Sequence, residues 1–152
     1  MTMSNQHVTK DRFWEVESLQ SMTPEQWESL CDGCAKCCLE KFEDEDSGEI
    51  HYSRIACALL DLESCRCSDY IHRAERMPDC VTLTPAVLQH SRWLPETCAY
   101  RRLAEGRALP VWHPLLTGTP RSVIDAGQSL SGRALHPDPE TDPLMHLIDW
   151  VR

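Results

Sequence analysis

The chain has 152 residues, a formal net charge of −9 and a hydrophobic fraction of 41%; one domain is expected at this length, and the acidic balance argues against broad electrostatic capture of nucleic acid or anionic lipid. The polar opening MTMSNQHVTKDRFWEVESLQ has no apolar stretch flanked by basic residues, and no run of about 18 apolar residues follows it. No secretory signal, no membrane span and a cytoplasmic location are therefore expected.

Residues 1–10 are read as disordered, and a helix is expected over Arg12 to Leu19. Thr23 has the position of an N-cap, with Pro24 as first helical residue and Gln26 completing a capping box. The helix it starts, Pro24 to Leu30, would bury Trp27 and Leu30 and lead into Cys31. Gly33 then permits a tight turn. The acidic run from Glu43 to Glu49 lacks the spacing of a calcium loop and reads as a solvated turn. Ile50 to Ser53 is a short strand candidate. Helical spacing of Ile55, Leu59 and Leu62 predicts a helix over that stretch, and another is expected from Ser68 to Arg76, stopped by Pro78. Thr84-Pro85 repeats the cap-plus-proline start, with a helix ending near Trp93. Pro95 to Glu105 carries Tyr100 and Leu103 on one face, with Gly106 terminating it. The basic cluster Arg101, Arg102 and Arg107 reads as a solvated helix face. Residues 109–120 form an irregular apolar loop expected to pack down. A short strand is expected over Gln128 to Leu135, a stiff linker over His136 to Pro139, and a final helix from Asp142-Pro143 through Trp150. The predicted fold class is mainly α with short β strands, a small cysteine-rich domain organised around a metal centre. The expected organisation is a disordered stretch over 1–10, a metal-binding domain over 11–120, and a C-terminal extension over 121–152 packed on it.

The most informative feature is the cysteine pattern. Four of the nine cysteines lie within CDGCAKCC, at Cys31, Cys34, Cys37 and Cys38; the others are Cys57, Cys65, Cys67, Cys80 and Cys98. In a reducing compartment such density reads as metal binding rather than disulfides, and an odd number cannot pair completely. Cys31, Cys34 and Cys37 follow the C-x2-C-x2-C spacing that places three sulfurs on an iron–sulfur cubane while a distant cysteine supplies the fourth. Zinc is the competing metal, although it usually takes two C-x2-C knuckles and Cys65-Arg66-Cys67 is tighter than that. The spacing slightly favours iron–sulfur and leaves zinc open. Cys65 and Cys98 have the bland alternative of small buried hydrophobes. His113 is a possible additional ligand, with capping or packing as its ordinary role.

These residues resemble the CxxCxxCC cysteine-cluster family, described as zinc- or iron-chelating. The resemblance runs through CDGCAKCC, Cys57 before a leucine-rich turn, Cys67 ahead of Tyr70, and the element Arg76-Met77-Pro78-Asp79-Cys80, which departs from the family's Arg-Pro-x-x-Cys by an inserted Met and a shorter spacer. A YcgN-like bacterial branch is closer, through WESLCDGCAKCCL, MPDC, WLPETCAYRRLAEG and LPVWHPLLTG. The resemblance implies Cys31, Cys34, Cys37, Cys38, Cys57, Cys67 and Cys80 as metal ligands, iron or zinc as cofactor, and no settled activity. No HExxH helix, phosphate-binding glycine loop or nucleophile elbow is present. The expected function is a metal-binding protein, with an iron–sulfur redox protein or enzyme component and a zinc-stabilised adaptor as alternatives. The expected partner is a metal ion or cluster, with no nucleic acid and no membrane; a protein partner is not readable.

Overall fold

The computed structural model describes residues 12–77, 80 and 82–152. The disorder expected for 1–10 and the helix stop expected at Pro78 lie outside the described residues. Six α-helices occur among the described residues: α1 (Phe13–Val16), α2 (Pro24–Ser29), α3 (Arg73–Arg76), α4 (Ala99–Ala104), α5 (Pro114–Thr117) and α6 (Arg121–Asp125). None exceeds six residues. Two small sheets accompany them. Strands β1 (Leu39–Glu43), β2 (Ile50–Ala56) and β5 (Leu147–Ile148) form an antiparallel sheet in the order β1-β2-β5, while β3 (Leu60–Asp61) and β4 (Arg66–Cys67) form a hairpin.

The expectation of a mainly α domain built around a metal centre is therefore corrected. Helices this short have too few internal hydrogen bonds to stand alone and depend on packing. The packing comes from two apolar clusters. One joins Leu39, Tyr52, Ala56 and Leu60 of the strands to Leu130, Ala134 and Val151. The other joins Trp14 and Leu30 to Leu88, Leu94, Tyr100 and Leu109. No group of three or more His, Cys, Asp or Glu side chains is arranged to hold an ion among the described residues.

Local signals succeeded where their hydrogen bonds close within one turn. The Thr23 capping box forms: the Gln26 amide donates to Thr23 Oγ1 at 3.2 Å, and the Thr23 amide donates to Gln26 Oε1 at 2.9 Å. Leu30 is fully buried behind α2. Thr23→Ala should cost about 1 kcal/mol of stability, the usual worth of a cap; a urea titration against the unmodified chain checks this. Helix α4 ends before Gly106, whose φ is +75°. The acidic run is a tight turn in which Asp44 accepts the amides of Asp46 and Ser47 at 2.8 and 3.1 Å.

Other expectations fail for tertiary reasons. Ile55 to Leu62 is not a helix: β2 continues to Ala56 because Leu39 and Lys41–Glu43 of β1 pair along it, and Leu60 is taken by the β3–β4 hairpin. The helix through Trp150 is a 3-10 turn over Pro143–His146 that yields to β5, where Leu147 and Ile148 face Ser53 and Tyr52. Gln128 to Leu135 makes only one bridge, Leu135 to Ile55. The Arg12–Leu19 helix shortens to α1 followed by a 3-10 turn at Leu19–Ser21. Ser68–Arg76 is helical only in α3, and Thr84-Pro85 leads to a 3-10 turn at Val87–His90.

Candidate metal centre

The cysteine-rich loop joins α2 to β1. Gly33 adopts φ +77°, as its place in the turn requires, and Ala35 also enters the left-handed region at φ +67°, which is uncommon for a side chain. Between these two bends the Cys34 amide donates to Asp32 Oδ1 at 3.0 Å. A 3-10 turn over Lys36–Cys38 then hands the chain to β1.

Backbone pairing brings distant cysteines to this loop. The Cys57 amide donates to the Cys38 carbonyl at 2.8 Å, setting the end of β2 beside the loop. Leu60 pairs with Cys67 across the hairpin, and the Leu59 amide approaches Cys57 Sγ at 3.4 Å. Tyr70, three residues after Cys67, donates its hydroxyl to the Glu28 carboxylate at 2.9 Å, tying that segment back to α2. On the other side, Cys98 occupies the N-cap position of α4.

A negative Cys37 acts on Cys31, Cys34, Cys80 and Cys98, and Cys38 also feels Cys57 and Cys80. Burial pushes the Cys31 thiol up to about 12, with Cys37 adding to it, although the residue as a whole keeps exposed surface. Burial raises Cys34 well above its ordinary value, raises Cys80, and pushes Cys98 up to about 11. The adjacent thiols of Cys37 and Cys38 act on one another, which lowers Cys37 and raises Cys38. Lys41 stands beside this pair, with Nζ donating to the Cys37 carbonyl at 3.3 Å; burial lowers the Lys41 pKa and the neighbouring thiols oppose that.

Of the residues expected from sequence, Cys31, Cys34, Cys37 and Cys38 share one loop, Cys57 is bonded to it through the Cys38 carbonyl and Cys67 lies across the hairpin from Leu60; among the described residues no three His, Cys, Asp or Glu side chains are grouped to hold an ion. Cys98 stands at the N-cap of α4. Cys65 departs: its φ of +59° turns it from the hairpin into the strand-side core, where its sulfur meets Ser129 Oγ at 3.5 Å. His113 is fully buried. Its Nε2 donates to the Leu30 carbonyl at 2.7 Å and its Nδ1 accepts the Leu115 amide at 3.0 Å, which fixes the Nε2–H tautomer and leaves neither nitrogen for a metal. The basic cluster is engaged locally: Arg101 and Arg102 donate to the carbonyls of Leu94 and Ala108, and both Arg101 and Arg107 pair with Glu105. Asp32 and Lys36, unmarked in the sequence reading, sit inside the thiol group. Their position within the CDGCAKCC loop was the signal available.

The donor chemistry fits a thiophilic ion. Thiolate sulfur suits zinc and iron–sulfur centres, and a cation replaces the protons that thiols crowded in a low-dielectric wall otherwise retain.

Comparison with known proteins defines the class first. Residues 30–99 match the CxxCxxCC family, whose description reads "Putative zinc- or iron-chelating domain". Over longer stretches the chain is similar to UPF0260 proteins. One from Parvibaculum lavamentivorans is 58% identical over 129 residues, covering 85% of this chain and 84% of the relative. Another from Gluconacetobacter diazotrophicus is 55% identical over 139 residues, covering 91% and 86%. A third from Azotobacter vinelandii is 55% identical over 123 residues, covering 81% and 83%. The chain belongs to the UPF0260 family. No solved structure matches it. No helix among the described residues is long and apolar enough to cross a membrane.

Proposed function

We propose that this protein binds zinc or iron through cysteine thiolates, with Cys31, Cys34 and Cys37 as principal ligands and further ligands drawn from Cys38, Cys57, Cys67 and Cys80. The observation that carries the reading is the bond from the Cys57 amide to the Cys38 carbonyl at 2.8 Å, which sets a distant cysteine beside the four-cysteine loop. The family description of zinc or iron chelation supports it. The C-x2-C-x2-C spacing favours an iron–sulfur cluster. An iron–sulfur centre would supply one-electron redox chemistry, whereas zinc would supply stability. In either case the chain's own contribution is to position sulfurs.

The reading includes an extension over 121–152 that packs on the metal-binding domain; the pairing of β5 with β2 and the place of Leu130 in the strand-side cluster support it. It assigns the protein to the cytoplasm, where thiols stay reduced.

Anaerobic purification followed by elemental analysis and an absorbance spectrum tests the proposal. Iron with sulfide and a broad visible band is the expected result for a cluster, and zinc without colour for the mononuclear form. Protein carrying neither metal, and taking up neither when reduced, would refute metal binding.

A further inference from the structure

We propose that residues 68–77 form a strap latched by the Tyr70 hydroxyl on the Glu28 carboxylate, and that opening of this latch sets how fast metal leaves the cysteine site. The inference rests on the metal-binding reading above and adds a gate to it.

The two arms of the site are fastened differently. The loop from Cys31 to Cys38 is held by the body of the fold. The Cys34 carbonyl accepts the Leu130 amide at 3.1 Å, and the buried Lys36 ammonium donates to Thr97 Oγ1 at 2.9 Å and to Gln128 Oε1 at 2.5 Å. The arm that follows Cys67 lacks such anchorage. No residue from Arg66 to Met77 is buried, and none belongs to either apolar cluster. Ile71 is 87% exposed. A segment that buries so little apolar surface opens at low free energy while the rest of the fold stays intact.

Bonds inside the strap keep its shape. Asp69 accepts His72 Nδ1 at 2.9 Å and Arg76 Nη1 at 3.1 Å. Arg73 Nη1 donates to the Tyr70 carbonyl at 2.6 Å, and its guanidinium lies 3.7 Å from the centroid of the Tyr70 ring, which aims that ring. Ties to the rest of the molecule are few. The Ser68 amide donates to the Leu59 carbonyl at 2.6 Å and marks the hinge, just after β4. Met77 accepts the Cys80 amide in a local turn. Otherwise, among the described residues, the hydrogen bond from residues 69–77 to the remainder is that of Tyr70 to Glu28, at 2.9 Å to one carboxylate oxygen and 3.1 Å to the other. Tyr70 stands three residues after Cys67 and Glu28 three before Cys31, so this bond joins the two arms. At neutral pH the phenol donates and the ionised carboxylate accepts. Both residues are exposed, so water competes for the bond and it opens readily.

Two variants of the full chain test the gate. Tyr70→Phe keeps the ring beside Arg73 and removes the donor; Glu28→Ala removes the acceptor. Protein is purified anaerobically with its metal, zinc or iron by elemental analysis, and release to excess chelator is timed at neutral pH. Each variant should release metal about three- to tenfold faster than the unmodified chain, the net effect of one hydrogen bond, and the double variant no faster than either. Metal stoichiometry and melting temperature should stay unchanged. In the reduced, metal-free chain, amide hydrogen exchange over residues 68–77 should quicken in both variants. Unchanged release or unchanged exchange overturns the gate. A lower metal stoichiometry also overturns it, because the bond would then support a ligand. A lower melting temperature does so too, because faster release would then reflect loosening of the whole fold. Faster release by the double variant than by either alone would show that the two side chains do not act through one bond. An unmodified chain that carries and takes up neither metal overturns the metal-binding reading and this inference together, whereas normal metal content with unchanged release overturns only this one.

Discussion

Serine in place of Cys34 or Cys37 is expected to strip the chain of most of its metal and to lower its melting temperature. Cys34 is buried, and its carbonyl accepts the Leu130 amide at 3.1 Å, so its sulfur sits on a backbone anchored from two directions. Cys37 is the third cysteine of the C-x2-C-x2-C spacing, and its carbonyl accepts the Lys41 ammonium at 3.3 Å. Structural zinc contributes roughly 10–16 kcal/mol in small metal-dependent domains, and shared among four ligands that is about 3 kcal/mol each. Cys65→Ser is the internal contrast. It touches Ser129 and the strand-side core, so it should lower stability while leaving metal content unchanged. Metal stoichiometry by elemental analysis, together with calorimetric melts of all three variants, checks the set. Full metal content in Cys34→Ser and Cys37→Ser would remove both from the ligand group.

The second large effect is expected at His113, for a reason unrelated to ligation. His113→Ala deletes a fully buried ring and leaves the Leu30 carbonyl and the Leu115 amide without partners. The cavity and the two unsatisfied groups together should cost about 3–5 kcal/mol. Leu30 immediately precedes Cys31, so the loss also loosens the entry to the cysteine loop. The folded fraction should keep its metal stoichiometry. Chemical denaturation gives the stability change and elemental analysis the metal; an equimolar loss of metal without loss of stability would make His113 a ligand after all.

The sequence was most readable where a few consecutive residues satisfy one another. Thr23, Pro24 and Gln26 start α2 through bonds that span three residues, and Gly106 follows α4 as a terminating glycine should. Helix spacing misled at Ile55, Leu59 and Leu62 because periodicity does not report which strand lies alongside. The pairing of β1 with β2 buries Ile55 and Ala56 in succession, a pattern that neither helical nor alternating spacing predicts. Asp142 does cap a turn, accepting the Leu144 amide at 3.0 Å, but the following residues gain more by completing the β1-β2-β5 sheet. In the thiol region the clustered first four cysteines were legible, and the sorting of the remainder was not. Cys65 and Cys67 stand two apart and in a regular strand would share a face. The left-handed backbone at Cys65 separates them. Cys98, expected within a helix, stands at its N-cap instead.

The link between Lys36 and Gln128 spans 92 residues. At ordinary synthesis rates of about 5–20 residues per second, the cysteine loop leaves the ribosome roughly 5–20 s before the glutamine that fastens it. Throughout that interval the loop also lacks Leu130, whose amide holds the Cys34 carbonyl, and Trp150, whose ring lies near the buried lysine. The nascent thiols are therefore presented on an unfastened segment, open to oxidation or to a mismatched ion, and the segment from Gln128 onward closes over them.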